Sequence, residues 1–594
     1  MSCLGENSYL KGRTNRDLVD TRLLRTWIQH CNSHHGASCK PLEIEDSSWL
    51  PSWLIDVQRR MLVPGSQESV AMHYAALSYV WGGEGVPQLR HTANGGIDDR
   101  LKSPGGLADH WEDIPYTIKD AMVVSEEIGI PYLWVDAICL NQDDITEHQL
   151  NLMGKIYQGA RVTIVAAAGR DSWAGLPGIR PRLDHMSRII EKVDDISFGL
   201  YIGSSQKVIK DTKWNTRAWT FQEMCLSKRL LIFTEEEVLY DCDSGATWRE
   251  TVFSEHPDLP SGDFCIPSSD FGVKIRLSDT IWRIARRFGK DDTVSPDDAY
   301  DPYLDILKGY VQRQMTDKSD ILRAFQGILA EIGEITAQSF LKGLPLGYIY
   351  ECLLFDVVGY HHDLRRPKFP SWSWCGWQNI KIVDNASTPG LSFMMFAEIP
   401  RFRPKIILHR WESSEAYDPN NPQVHSYVAL DGKNVEIESR YLYIEAADKG
   451  EDWTRELENM LVFSADTLQV TVSPEGEPVR WDPETRRYDI VFPELDLEFI
   501  DLNKSWRDKQ PAAIEFVAIA EAKAFDNDDF RKVENTRGRV PMKARWANHP
   551  ISLVAALLVE TDARTGISQR LGLYKISKEC WDRAARATRI VYLC

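Results

Sequence analysis

Apolar positions in the first 250 residues alternate between the helix period and strand-like runs. In DTRLLRTWIQHCNS, Leu23, Leu24, Trp27 and Ile28 fall at helical spacing and predict an N-terminal helix. YAALSYVWG (74–82) is an apolar, aromatic run that ends in Gly82-Gly83, the pattern of a strand entering a loop. PYTIKDAMVVSEEIG then sets Ile118, Ala121, Met122, Ser125 and Ile128 on one face behind Pro115, which suits a first helical turn. PYLWVDAICL is almost wholly apolar, as a strand covered on both faces would be. The stripe Ile145, Leu152, Met153, Ile156 and Tyr157 predicts the next helix, and the β-branched RVTIVAAAG the next strand. WNTRAWTFQEMCLS reads as helix, and RLLIF and VLYDC as two further strands. The order β-α-β-α-β favours an α/β domain with a mostly parallel sheet.

These patterns divide the chain into a helical lead-in (1–72), an α/β domain (73–253), a polar linker (254–302), a helical segment (303–379) and a β-rich region (380–594). An insertion near 170–213 carries one strand-like piece, FGLYIG. The helical segment rests on YLDILKGYVQRQM, ILRAFQGILAEI and YIYECLLFDVV, and it ends in PSWSWCGW (370–377). Three tryptophans in eight residues fit an aromatic core plug better than exposed chemistry. Beyond 380, YLYIEA, LQVTVS, YDIVF, AIEFVAIAEA, ISLVAALLVE and RIVYLC predict strands between turn-rich gaps.

With 594 residues the chain is too long for one small module, and 43% apolar with 26% charged residues is ordinary globular usage. The formal charge of −18 disfavours broad attraction to nucleic acid, so no nucleic-acid partner is expected. The opening residues carry no apolar signal segment. The longest apolar stretch, LPLGYIYECLLFDVVGY, contains Glu351 and Asp356, so neither secretion nor a membrane span is expected. Eleven cysteines scattered without CxxC pairs predict reduced thiols and a cytoplasmic location. In CNSHHGASC, Cys31, His34, His35 and Cys39 are close enough to bind zinc. Four candidates within nine residues are also what a packed helix end looks like, and no metal is assigned.

Four blocks in order, YAALSYVWGG (74–83), PYLWVDAICLNQDD (131–144), EHQLNLMGKIYQGARVTIVAAAG (147–169) and RAWTFQEMCLSKRLLIF (217–233), resemble the fungal heterokaryon-incompatibility (HET) domain. The resemblance implies a filamentous fungal source and a role in non-self recognition between fused cells, followed by regulated cell death. It also implies a distant similarity to TIR domains, hence a flavodoxin/TIR-like fold, and some TIR domains hydrolyse NAD. In those domains a strand ends in Ser-Tyr, and a later helix carries Trp, three residues, then the NADase Glu. Ser78-Tyr79 and Trp219-x-x-x-Glu223 fit that pattern. The resemblance thus implies Glu223 as the catalytic carboxylate, NAD as substrate and no required cofactor.

Positions i and i+4 share a helix face, which would put the Trp219 indole beside the Glu223 carboxylate. A carboxylate there would stabilise the oxocarbenium-like state formed when nicotinamide leaves ribose. Open α/β sheets bind ligands beyond the C-terminal strand ends, where Trp81, Gly82, Gly83, Asp136 and Asn141 are expected to gather. Arg217 or Arg161 would neutralise a pyrophosphate. Each assignment has a plainer alternative: Glu223 pairing with Arg217 or Lys228, Asp136 anchoring a loop, Trp81 and Trp219 filling core, and Ser78 a packed hydroxyl. The alternative function is a non-catalytic module that self-associates or binds a partner incompatibility protein. No GxxxxGK[ST], GxSxG or HExxH motif offers another chemistry.

Overall fold

A computed structural model describes residues 17–42, 49–66, 73–82, 99–140, 147–182, 190–193, 196–199, 209–244, 246–251, 300–336, 339–345, 352–357 and 364–382. Towards the C-terminus it describes 395–396, 407–408, 425–429, 434–437, 461–472, 478–482, 487–490, 512–524, 551–562, 566–584 and 586–594. The linker and YLYIEA lie outside these residues, apart from 300–302. Two compact units divide the chain, one of residues 1–302 and 313–336, the other of 303–312 and 337–594.

The first unit is built on an eight-stranded mixed sheet. Its strands are β1 (Trp53–Asp56), β2 (Met61–Pro64), β3 (Tyr74–Ser78), β4 (Tyr132–Trp134), β5 (Thr163–Ala166), β8 (Arg229–Phe233), β9 (Val238–Cys242) and β10 (Thr247–Arg249), in the order β10-β9-β8-β5-β3-β4-β1-β2. The central β4-β3-β5-β8 are parallel, as the unbroken apolar runs predict, and strands at both edges are antiparallel. The lead-in therefore contributes more than a helix, because β1 and β2 extend the sheet. WLID and MLVP are too short for their apolar period to stand out, and the pair is made by a tight turn through Arg60 at φ 51°. The insertion forms a hairpin of β6 (Ile190–Val193) and β7 (Ile196–Gly199).

Between the strands run α1 (Thr21–His34), α2 (Tyr116–Glu127), α3 (Asp136–Cys139), α4 (Glu147–Gly159), α5 (Lys213–Thr216) and α6 (Ala218–Leu226). PYLWVDAICL is only in part a strand, since after Trp134 the chain makes the single helical turn α3. Asp20 caps α1 by accepting from Arg22 N–H at 3.1 Å, and α2 follows Pro115. Helix α7 (Tyr300–Val311) precedes α8 (Arg323–Thr336), which packs on α4 and α6 with Phe325, Ile328, Leu329 and Ile332 buried. ILRAFQGILAEI thus belongs with the α/β unit, not with the segment expected over 303–379. The approach is close enough to require glycine: a Cβ on Gly154 would lie 3.2 Å from Gly327 Cα.

In the second unit, β11 (Leu461–Val472), β12 (Ala512–Ala524), β13 (Ile551–Thr561), β14 (Ile567–Ser577) and β15 (Ala587–Leu593) pair in sequence, and β11 pairs both β12 and β15. The five strands therefore close on themselves. An odd number of alternating strands closes only through one parallel contact, and that contact is β14–β15, joined by the helix Lys578–Arg583. Trp372, Trp374 and Trp377 of PSWSWCGW are buried, with Trp374 Nε1 donating to Tyr303 Oη at 3.0 Å. YIYECLLFDVV, expected as helix, supplies the strand Phe355–Val357 instead, paired with Ile380–Ile382; residues 348–351 and 358 of this stretch lie outside the description. A short apolar run does not distinguish a strand from a buried helical turn.

Candidate functional site

Counted from β3, the parallel strands lie in the order 2-1-3-4, so the chain reverses direction across the sheet beside β3. In such sheets the ends of the strands next to the reversal splay apart and leave a crevice at their C-terminal side. Ser78 is the last residue of β3 and is fully buried. Its hydroxyl donates to Glu223 Oε2 and accepts from Trp214 Nε1 at 2.7 Å. Glu223 sits near the end of α6, where Thr220 Oγ1 ties the helix start to Trp214 O at 2.6 Å and Ser227 Oγ ties its end to Glu223 O at 2.6 Å. The Tyr157 hydroxyl, from α4, donates to Leu77 O at 3.1 Å and lies beside the same carboxyl.

Glu223 is 5% exposed. Neither candidate ion-pair partner reaches it. Lys228 pairs with Asp243 at 3.3 Å, and Arg217 Nη1 donates to Tyr79 O at 3.1 Å. Burial pushes the Glu223 carboxyl up to about 7; the Ser78 hydroxyl pulls it back, Asp136 pushes it further up, and Arg217 and Tyr157 oppose. Burial likewise lifts Asp136 to about 6, against the Ala137 N–H (2.7 Å), Trp81 Nε1 (2.9 Å) and Arg217. Burial first, and then Asp136, keeps the Tyr79 hydroxyl neutral. Two carboxyls thus titrate close to neutrality behind a partly exposed rim.

That rim contains three of the expected residues, Trp81, Asp136 and Arg217, linked by the Trp81 Nε1–Asp136 bond and the charge of Arg217 near Asp136; Trp219, at the start of α6, is likewise half-buried, and both indoles pack on the apolar core. Gly82 follows with φ 109°, a conformation that favours glycine. Gly83 and Asn141 lie outside the described residues. Arg161 stands just before β5, its N–H donating to Tyr74 O at the opposite end of the strands, so it is remote from this site. Sequence reasoning missed Trp214 and Tyr157. Trp214 stands five residues before Trp219 in WNTRAW, outside the motif, and Tyr157 was indistinguishable from the other members of an apolar stripe.

Among the cysteine and histidine candidates, Cys31, His35 and Cys39 come together with Cys242, while His34 turns away and stacks on His30 with ring centroids 4.1 Å apart.

The family model described as heterokaryon incompatibility protein (HET) matches residues 74–223, from the first residue of β3 to Glu223. This stretch is similar to the HET family. Heterokaryon incompatibility protein 6, OR allele, of Neurospora crassa is 27% identical over 187 residues, covering 26% of this chain and 27% of the relative. The similarity therefore spans about a quarter of that protein's length. No solved structure matches the chain. Ser78, Trp81, Asp136, Arg217, Trp219 and Glu223 all fall inside the matched stretch, and no helix among the described residues is long and apolar enough to cross a membrane.

Proposed function

We propose that the chain acts in fungal heterokaryon incompatibility through its HET domain, in the cytoplasm, and that the domain hydrolyses the nicotinamide–ribose bond of NAD. One observation carries the chemical reading. A buried carboxyl normally requires a cation, yet Glu223 is held by the Ser78 hydroxyl and titrates near neutrality at the C-terminal ends of parallel strands. Strand order 2-1-3-4 is the one flavodoxin-like sheets use, which supports the TIR-like kinship.

In this reading ionised Glu223 stabilises the positive charge that develops on the ribose as the C1′–N bond breaks and nicotinamide leaves with the electron pair. Water then bonds to C1′ and passes its proton to the carboxylate and on to solvent. Trp219 stacks on the nicotinamide, Arg217 neutralises the pyrophosphate, Asp136 and Asn141 bind the ribose, and Trp81, Gly82 and Gly83 form the phosphate-side wall. No cofactor is needed. Because Glu223 is buried at rest, the rim must open before substrate reaches it, and self-association supplies that change.

The burial of Glu223 also favours a second reading, in which Ser78, Trp214 and Glu223 brace a non-catalytic module that self-associates or binds a partner incompatibility protein. Purified full-length protein incubated with NAD separates the two. The first requires nicotinamide release that rises from pH 6 to pH 8, as Glu223 ionises, and is lost in Glu223→Gln. No release at any protein concentration, with self-association or partner binding intact, leaves the second.

A further inference from the structure

We propose that Cys31, His35, Cys39 and Cys242 hold one zinc ion that fastens the N-terminal helix to the edge of the sheet. Helix α1 carries Cys31 in its last turn and is capped by His35, whose N–H donates to Cys31 O at 3.1 Å, so the i, i+4 spacing turns both side chains to one side. Gly36, at φ 60°, starts a single 3-10 turn that folds Cys39 back toward them. Cys242 ends β9, more than 200 residues away in sequence. The three Sγ atoms and a ring nitrogen of His35 all lie within 4.8 Å of one another, and His35 Nδ1 is 3.3 Å from Cys242 Sγ. Zinc bound tetrahedrally at ~2.3 Å from sulfur and ~2.0 Å from nitrogen holds its ligand atoms roughly 3.5–3.8 Å apart, a contraction that side-chain rotation supplies.

The surroundings match thiolates rather than thiols. Arg229 is 2% exposed, and its hydrogen-bond partners are Cys31 Sγ (3.2 Å), Arg161 O (3.0 Å) and Asn32 Oδ1 (2.7 Å), none of them a carboxylate. Burying a guanidinium without a counter-charge is costly. Three thiolates and one zinc ion carry a net charge of −1, which Arg229 balances. Arg229 reaches the cluster because it stands directly opposite Cys242 in the β8–β9 pairing, on the same face of the sheet. Ser244 donates its N–H to Cys39 Sγ at 3.3 Å and sets its hydroxyl 3.1 Å from Cys242 Sγ. Such bonds to ligand sulfurs orient a metal site.

A disulfide fits less well, because pairing any two of three sulfurs strands the third together with His35. Three sulfurs and one imidazole, all positions filled by protein, are the donor set of a closed structural zinc site. The cluster lies outside the HET match, with Cys31, His35 and Cys39 before residue 74 and Cys242 after residue 223. It is therefore a device of the surrounding unit and is independent of Glu223 chemistry.

The test is zinc content of the full-length, tag-free protein produced in zinc-supplemented medium and purified under reducing conditions. About one zinc per chain is expected. Cys242→Ser and His35→Ala should each lower it at least about tenfold, as loss of a ligand does, while His34→Ala and Cys352→Ser leave it unchanged. Should the ligand variants fail to fold, cobalt exchanged into the wild-type protein provides a second readout. Intense visible bands of tetrahedral cobalt–thiolate coordination support the site. Only trace zinc in the wild type together with no such bands overturns it, as does zinc loss in His34→Ala with retention in His35→Ala.

Discussion

Replacing Glu223 by Gln should raise the stability of the first unit, relative to wild type, between pH 4.5 and pH 8. In the folded chain burial raises the carboxyl from 4.5 to about 7, so between these values the native state keeps a proton that the unfolded chain releases. Stability from this group is therefore full below pH 4.5 and falls as pH rises through 7. A rise of that size corresponds to a few kcal/mol, at ~1.36 kcal/mol per pH unit, and Glu223 is buried enough that solvent screening removes little of it. Glutamine still accepts the Ser78 hydroxyl and never ionises. Its amide adds a cost that does not depend on pH, so the informative quantity is the difference between the two pH values. Asp136 has the same sign over a lower window and is present in both proteins, so it cancels to first order. Thermal unfolding followed by tryptophan fluorescence should show the variant gaining about 5–10 °C on wild type between pH 4.5 and pH 8. A variant that loses ground as pH rises would refute the reasoning, because the carboxylate would then be stabilised in the fold.

Other outcomes follow from buried groups elsewhere. Glu250→Ala should destabilise the first unit by about 3–5 kcal/mol in urea unfolding, because it removes the buried carboxylate that the Arg182 guanidinium pairs at 2.5 Å. Pairing the change with Arg182→Met should recover most of that loss. Trp374→Ala should cost the second unit about 3–5 kcal/mol, read as a lower urea midpoint, since the indole is buried and bonded to Tyr303. Trp219→Ala, at a half-buried position, should cost less stability than Trp374→Ala and should abolish nicotinamide release if the indole binds the substrate.

The parallel core was legible in the sequence because its strands are apolar on both faces and its helices carry a clear stripe. The antiparallel edges were less legible: WLID and MLVP acquire their strand identity only by pairing with β4 and with each other. The same limit applies to Phe355–Val357, where tertiary pairing decided between two states that the apolar run allowed equally. Local spacing gave Trp219 and Glu223, since one helix holds both. It could not give Trp214 and Tyr157, which reach Ser78 and its neighbours from other elements. Cys242 shows the limit most sharply, because nothing in VLYDC links it to CNSHHGASC until the sheet brings β9 under α1.

Cellular NAD in yeast expressing the full chain or its Glu223→Gln variant tests the central claim most directly, because the variant is expected to fold at least as well as wild type at neutral pH. The account predicts NAD depletion and growth arrest with the wild-type chain, and neither with the variant at equal protein level. Growth arrest with undiminished NAD, or depletion that persists in the variant, would contradict it.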